Sequence, residues 1–216
     1  IGDPAEGIEA ASAFFECDSA VFEQCDDSGG NIGDVFRFAA RELFVHYAQQ
    51  LADKASLADR LTTLYEHDAY GVRGDLIDSA HEFLPPDVLR DLAQQLWAKS
   101  ESLAPDSHEL RHWMIAVESV ARQLKDAPLF EKARRTAWPN LSTAACLDIA
   151  EVYLDSGEAQ TALSWVQRIP EKESLRSDER DRLLLAIHET MGNGEAIKEI
   201  AWRIFRRHRS KETLGT

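Results

Sequence analysis

Apolar residues along this chain recur at helical spacing, in short segments that prolines and glycines separate. The clearest case is the stretch 144–170, whose first half ends at Gly157 and whose second half ends at Pro170. Its two apolar stripes are Leu147, Ala150, Tyr153 and Leu154, followed by Ala162, Leu163, Val166 and Ile169. A helix pair of this size cannot bury both apolar faces alone, so we expect further helices to pack against it.

The same pattern runs through most of the sequence, and alternation typical of strands is nearly absent. We predict about ten helices. They fall at 8–22, 34–52, 56–67, 75–84, 87–100, 105–125, 127–138, 177–191 and 195–209, with the pair at 142–169 between them. The prolines lie between these patterns or in their first turns, where helices tolerate them. The predicted fold class is therefore all-α, built as stacked antiparallel helix pairs in a superhelix or as a compact bundle.

One helix pair resembles a tetratricopeptide repeat. Tyr153, Gly157 and Ala162 have the spacing of that pattern, although Pro170 ends the second helix early. Gly157 and Gly192 are 35 positions apart, which is close to the length of one helix-pair repeat. The resemblance implies helix pairs stacked in the tetratricopeptide or HEAT manner.

The N-terminal residues differ in character from the rest. Residues 1–34 carry nine acidic side chains and no Lys or Arg, and they end in a loop rich in Gly and Asp. Asp34 is a suitable N-cap for the following helix. We therefore predict an acidic segment at 1–34, a helical repeat-like domain at 35–209 and a tail at 210–216.

Composition narrows the class of protein and of partner. Apolar residues make up 44% of the chain and charged residues 29%, with a net charge of −14. That charge disfavours nucleic acid and acidic membranes as partners, since both require a basic surface. No apolar run reaches the roughly 20 residues that span a bilayer, and no secretory signal opens the chain. A start at Ile1 is consistent with a longer natural protein.

The three cysteines, Cys17, Cys25 and Cys146, form no C-x-x-C pair and are odd in number. This usage is typical of reduced thiols, so we expect a cytoplasmic protein.

The sequence HELRH at 108–112 matches the zinc-protease pattern H-E-x-x-H. If this segment were such a site, His108 and His112 would bind the metal and Glu109 would activate water. Here the motif directly follows Pro105 and Asp106, and no strands are predicted for a substrate-binding sheet. A helix start with Asp106 as N-cap and Glu109 completing a capping box explains this segment better than a zinc site does. A zinc-dependent hydrolase is kept as the alternative function.

The last predicted helix is basic, with Arg203, Arg206, Arg207 and Arg209. Cations in the final turn of a helix interact favourably with the helix dipole. This interaction explains the four arginines without a binding partner. Contact with an acidic peptide or nucleic acid is the weaker alternative. Trp202, Ile204 and Phe205 are predicted to face the core.

Three segments of the chain resemble a known family. They are HDAYGVRGDLIDSAHEFLP, HWMIAVESVARQLKDAPLFEKA and CLDIAEVYLDSGEAQTALSWV. Over about residues 35–205 the chain looks like an uncharacterised bacterial family, a domain of unknown function, and DAYGVR is the most specific piece. The resemblance implies an all-helical fold. Some members are associated with SWIM-type zinc-finger proteins, but no such Cys/His pattern is present here.

The sequence holds no glycine-rich nucleotide loop and no nucleophile elbow. We therefore predict a non-catalytic interaction or scaffold module without a cofactor. Its partner is expected to be another protein or a peptide, because stacked helix pairs build extended concave surfaces.

Overall fold

The computed structural model describes residues 2–170 and 172–212, without the side chains of 208–212. Within those ranges every regular element is a helix, which confirms the all-α prediction. None of the described helices is long and apolar enough to cross a membrane. The chain divides into two compact units, Ile1–Leu124 and Lys125–Thr216.

The first unit contains eight described α-helices, one π-helical segment and one 3₁₀ turn. The α-helices are α1 (Pro4–Glu16), α2 (Asp18–Phe22), α3 (Asn31–Asp34), α4 (Arg41–Gln50), α5 (Lys54–Glu66), α6 (Gly74–Asp78), α7 (Pro86–Ser100) and α8 (His108–Leu124). The π-helix Val35–Ala40 joins α3 to α4, and the 3₁₀ turn Ala80–Glu82 follows α6.

Two packed pairs organise this unit: α1 lies against α4, and α7 lies against α8. At the first, Phe15 of α1 meets Phe44 of α4 edge to face, with ring centroids 6.5 Å apart. Both rings are fully buried, and a buried aromatic pair removes a large apolar area from water. Since Ile8 of α1 is buried as well, the acidic segment 1–34 contributes to the core of the first unit. The predicted division at residue 34 therefore differs from the division into compact units.

The second unit contains α9 (Ala127–Ala137), α10 (Thr143–Asp155), α11 (Ala159–Val166), α12 (Ser177–Thr190) and α13 (Gly194–Glu212). Helix α10 packs on α11, and α12 packs on α13. Ala150 and Ala162, members of the two predicted apolar stripes, are both fully buried. The likeness to a tetratricopeptide repeat stays a prediction.

Two turns in this unit share one helix-ending motif. After α10, Glu158 N donates to Tyr153 O at 2.8 Å and Gly157 N donates to Leu154 O at 2.9 Å. After α12, Asn193 N donates to the carbonyl oxygen of His188 in the same way. The glycine in each turn has a positive φ, 87° at Gly157 and 70° at position 192, a conformation that L side chains rarely adopt.

The helix starts correct two details of the sequence analysis. Asp34 does not cap the long helix; the carboxylate of Asp27 accepts hydrogen bonds from the amides of Ile32 and Gly33 instead. Similarly, α8 begins after Ser107, whose hydroxyl oxygen accepts from the amide of Leu110. The predicted caps Asp34 and Asp106 lie seven positions and one position from Asp27 and Ser107, which can accept from helix amides equally well, so propensity alone did not choose between them.

The last helix also corrects a prediction. Trp202 and Phe205 do not face the core: they are 53% and 50% exposed, and their rings stack with centroids 5.5 Å apart. Among the side chains of this helix that the structure describes, Ile200 is the buried one. The outer face of α13 is therefore partly apolar.

Candidate functional site

An open cleft with a volume of about 940 Å³ lies within the first unit. Its walls come from the end of α1 and start of α2, the end of α5, the loop 67–73, the end of α7 and the first turns of α8. The cleft is of the size that ordinarily receives ligands or peptide side chains. It is the place where the structure assembles the histidines and acids that the sequence analysis singled out.

The floor of the cleft is a reciprocal contact between α5 and α8. His112 Nε2 lies 3.0 Å from Tyr65 O, and Tyr65 OH donates to His112 O at 2.9 Å. The two rings stack, with centroids 4.1 Å apart and an interplanar angle of 12°. Burial raises the pKa of Tyr65, so its hydroxyl keeps the proton that it donates. His112 thus has a structural task in joining the two helices.

The rear wall is the loop that carries DAYGVR. The carboxylate of Asp68 accepts from three backbone amides, those of Val72, Arg73 and Gly74, at 3.0–3.1 Å. Arg73 is buried, and its guanidinium donates to both carboxylate oxygens of Asp18. The segment that was most distinctive in sequence is therefore a loop that Asp68 holds in shape and that Arg73 ties to α2.

The rim is acidic. Glu16 and Glu109 are exposed at the mouth of the cleft, and Glu66 is exposed beside them. Lys99 is the exposed cation of the lining, and its ammonium lies 2.7 Å from Glu66 Oε2. The same Nζ lies 5.8 Å from the centroid of the Trp113 ring. An ammonium group is thus already held in the cleft between a carboxylate and an aromatic face.

The three residues of the zinc-hydrolase alternative all line this cleft: His108, Glu109 and His112. With Nε2 of His112 directed to a carbonyl oxygen, Nδ1 is the nitrogen left for a metal. Throughout the described part of the chain, however, no group of three or more His, Cys, Asp or Glu residues is arranged to hold a metal ion. The structure brings the motif into one cleft without a third ligand beside it.

The predicted partner-binding arginines are not all available. Arg203 Nη2 lies 2.7 Å from Asp181 Oδ1, and Arg207 bonds both Asp178 and Asp181 of α12. Arg206 is exposed, with its guanidinium 5.0 Å from the Trp202 ring. The side chain of Arg209 lies outside the described residues. Two of the four arginines thus hold α13 to α12, because Asp181 is fully buried and needs a counter-charge.

Sequence reasoning missed how the cleft is assembled. Tyr65 and His112 are 47 positions apart, and Lys99 meets Glu66 across 33 positions. Helical periodicity identifies which face of each helix is apolar, but it does not tell which two faces meet. The one available signal was the density of histidines and acids in the segments 66–68 and 108–112.

Residues 1–137 match the model of a family of unknown function, DUF6880. The matched stretch includes every residue that lines the cleft. It begins earlier than the resemblance seen in the sequence and ends with α9, so the helices α10–α13 lie outside it. No curated protein and no solved structure matches the chain.

Proposed function

The chain belongs to this family of unknown function, and from its own cleft we propose a non-catalytic interaction module that binds a basic segment of a partner protein. The observation that carries the proposal is the position of Lys99. Its ammonium is held by the Glu66 carboxylate and lies near the Trp113 ring, which is how the cleft would receive a Lys or Arg side chain of a partner.

The charges at the mouth of the cleft support a cationic ligand. Glu16 and Glu109 are exposed there and form no ion pair among the described residues, so they attract a cation without losing an existing partner. The net charge of −14 favours basic partners over the whole molecule as well. Two positive side chains of one peptide would contact Glu16 and Glu109 together.

The hydrogen bonds inside the cleft support a binding role rather than a catalytic one. Tyr65 OH and His112 Nε2 each bond the backbone carbonyl of the other residue, so both groups serve to join α5 and α8. Asp68 similarly has its oxygens occupied by three backbone amides. Exposed carboxylates remain accessible at the rim, and these suit electrostatic recognition of a cation.

Fluorescence anisotropy with three labelled peptides tests the proposal: one rich in Lys and Arg, one rich in Glu, and one of Gly and Ser. We expect binding of the basic peptide, weakened by added salt because the contacts are between exposed charges. The double variant Glu16→Gln/Glu109→Gln should weaken this binding about five- to tenfold, from two rim contacts of about 0.5–0.7 kcal/mol each.

Glu189→Gln is the matched control, since Glu189 is an exposed acid on α12 in the second unit. It makes the same kind of substitution, with loss of one negative charge, at a residue that does not line the cleft, and it should leave binding unchanged. Equal binding of the acidic and basic peptides, or equal losses in the control and in the double variant, would refute a basic ligand in this cleft.

The zinc-dependent hydrolase is the second candidate, because His108, Glu109 and His112 share this cleft. Titration calorimetry with zinc chloride separates the two. If the protein binds one zinc ion and His108→Ala abolishes this binding, the hydrolase hypothesis is supported. If zinc binding is unchanged in this variant, the result counts against a zinc site at His108.

We keep the cytoplasm as the proposed compartment. Cys17 and Cys25 are free and exposed, which suits a reducing environment. Fractionation of source cells, with the protein recovered outside the cytoplasmic fraction, would contradict this part of the proposal.

A further inference from the structure

Three exposed carboxylates line the acidic cleft, and the chain itself already occupies one of them. Glu16 and Glu109 form no ion pair among the described residues. Glu66 is paired instead with Lys99, whose Nζ lies 2.7 Å from Glu66 Oε2. The same ammonium lies 5.8 Å from the centroid of the Trp113 ring. A basic segment that enters the cleft therefore meets two open carboxylates and a third that a lysine of this chain neutralises.

The ion pair between Lys99 and Glu66 is weak enough to exchange. Both side chains are 40% exposed. An ion pair with this exposure contributes little to stability, because water solvates both charges and two long side chains must be ordered to form it. The pair at the rear wall is the opposite case, since the side chains of Arg73 and Asp18 are 4% and 0% exposed. A competing cation can therefore displace Lys99 from Glu66, but not Arg73 from Asp18.

The two helices that carry this pair are joined without it. Glu66 ends α5, and Lys99 lies in the last turn of α7. One turn before Lys99, Gln95 bonds α5 twice. Its Nε2 donates to Asp59 Oδ1 at 2.8 Å, and its Oε1 accepts from the Thr62 hydroxyl at 3.0 Å. Release of Lys99 from Glu66 therefore leaves these walls of the cleft in place.

The contacts of Lys99 determine which cation replaces it best. An incoming lysine would form the same contacts with Glu66 and Trp113 that Lys99 gives up, so the exchange gains little. An arginine presents two parallel N–H donors to the two oxygens of a carboxylate. Its guanidinium is also the cation that pairs more often with an aromatic ring. Arginine is therefore the side chain that gains from taking this position.

We propose that Lys99 is an internal ligand of the cleft, which an arginine of the partner segment displaces from Glu66 and Trp113. This inference rests on the proposed function, because it requires that a basic segment enters the cleft. Displacing Lys99 offsets part of the attraction between Glu66 and the incoming side chain. Lys99 thus lowers the affinity for every basic segment, and at this position only an arginine gains more than it displaces.

Fluorescence anisotropy with two labelled peptides tests the proposal, one of alternating Arg and Gly and one of alternating Lys and Gly. Lys99→Met removes the internal ligand. This variant should bind the Arg peptide roughly two- to fivefold more tightly than the wild type does, the range expected of one exposed ion pair. Since Lys99 is 40% exposed, the variant should remain folded, which circular dichroism checks. Lys99→Gln is the second variant should Lys99→Met fail to fold.

Glu66→Gln separates displacement from a general effect of charge. If Lys99 competes for Glu66, Lys99→Met has no effect on binding once Glu66→Gln has removed the carboxylate. If Lys99 only repels the peptide, Lys99→Met gives the same gain in both backgrounds. We expect the first result. We also expect the wild type to bind the Arg peptide more tightly than the Lys peptide, and Glu66→Gln to reduce this preference.

Lys198→Met is the matched control, because Lys198 is an exposed lysine of α13 in the second unit. It removes one positive charge at a residue that does not line the cleft, so it should leave binding unchanged. Three results would each overturn the inference: no gain in Lys99→Met, the same gain with and without the Glu66 carboxylate or in the control, and no preference for the Arg peptide. The proposed function would survive these results, whereas failure of every protein to bind either peptide would overturn both.

Discussion

Arg73 and Asp18 form a buried two-point ion pair between the DAYGVR loop and α2. Arg73 Nη2 donates to Asp18 Oδ1 at 2.6 Å, and Arg73 Nε donates to Asp18 Oδ2 at 3.0 Å. The side chains are 4% and 0% exposed. Arg73 Nη1 also donates to the carbonyl oxygen of Leu64 at the end of α5. One guanidinium therefore fixes three elements at the rear wall of the cleft.

Arg73→Met should lower the free energy of unfolding by about 3–5 kcal/mol. The reason is that Asp18 would keep a buried charge without a partner, and burying a lone carboxylate is costly. Denaturation by guanidinium chloride, followed by circular dichroism, measures the loss. The double variant Arg73→Met/Asp18→Asn should lose much less, because it removes both charges.

Arg60→Met is the control, since Arg60 pairs with Glu9 at the surface, where an ion pair contributes below about 1 kcal/mol. If Arg73→Met and Arg60→Met had equal effects, the Arg73–Asp18 pair would not be the buried tie described above.

The sequence predicted helix positions well because apolar periodicity and Gly/Pro boundaries are local signals. Pro86 at the start of α7 and Gly157 after α10 lie where those signals placed them. The outer face of α13 was predicted wrongly, since Trp202 and Phe205 are apolar and apolar residues are ordinarily assigned to a core. Exposed aromatics of this kind are visible only once the packing of the helix is known.

The cleft was harder to predict than the helices. The HELRH segment attracted attention as a metal motif, whereas in the structure His112 stacks on Tyr65 and bonds its backbone. Arg73 lies in a segment whose distinctiveness was noted, but its partner Asp18 is 55 positions away. Such long-range polar pairs depend on which helices pack together. The apolar periodicity of a single sequence does not give this information.

Gly157→Ala should destabilise the second unit by about 1–2 kcal/mol, because alanine at a φ of +87° brings its Cβ against the backbone. Thermal unfolding measures the change. Gly194→Ala is the matched control: nothing lies within 4 Å of a Cβ there, and Gly194 opens α13 without a positive φ. This control should be neutral or stabilising by up to about 1 kcal/mol. A control that lost as much as Gly157→Ala would show that backbone conformation is not the cause.

Cysteine labelling should distinguish the three thiols. Cys17 and Cys25 are exposed, whereas Cys146 is buried and burial raises the pKa of its thiol. Because the thiolate is the reactive form, iodoacetamide should label two cysteines in the folded protein and the third only after unfolding, as read by mass spectrometry. Cys146→Ser should leave the folded count unchanged and lower the unfolded count. Rapid labelling of Cys146 in the folded chain would contradict its burial.

Tyr153 should make the second unit lose stability at alkaline pH. Burial, with the neighbouring Glu131 carboxylate that accepts from its hydroxyl at 2.8 Å, raises the pKa of Tyr153 to about 12. In the unfolded chain a tyrosine ionises near pH 10. Between about pH 10 and 12 the unfolded state therefore binds fewer protons than the folded state, and the free energy of unfolding falls as pH rises.

Tyr153→Phe removes both the hydrogen bond and this titration. We expect a loss of about 1–2 kcal/mol at neutral pH, since the lost bond goes to a charged acceptor. Above about pH 10 the gap between variant and wild type should narrow, because the phenylalanine has no proton to release. Chemical denaturation at a series of pH values measures both curves, and Tyr70→Phe, at a ring that is 41% exposed, controls for tyrosine loss in general. A gap that stayed constant up to pH 12 would mean that Tyr153 ionises equally in both states, in conflict with its buried contact to Glu131.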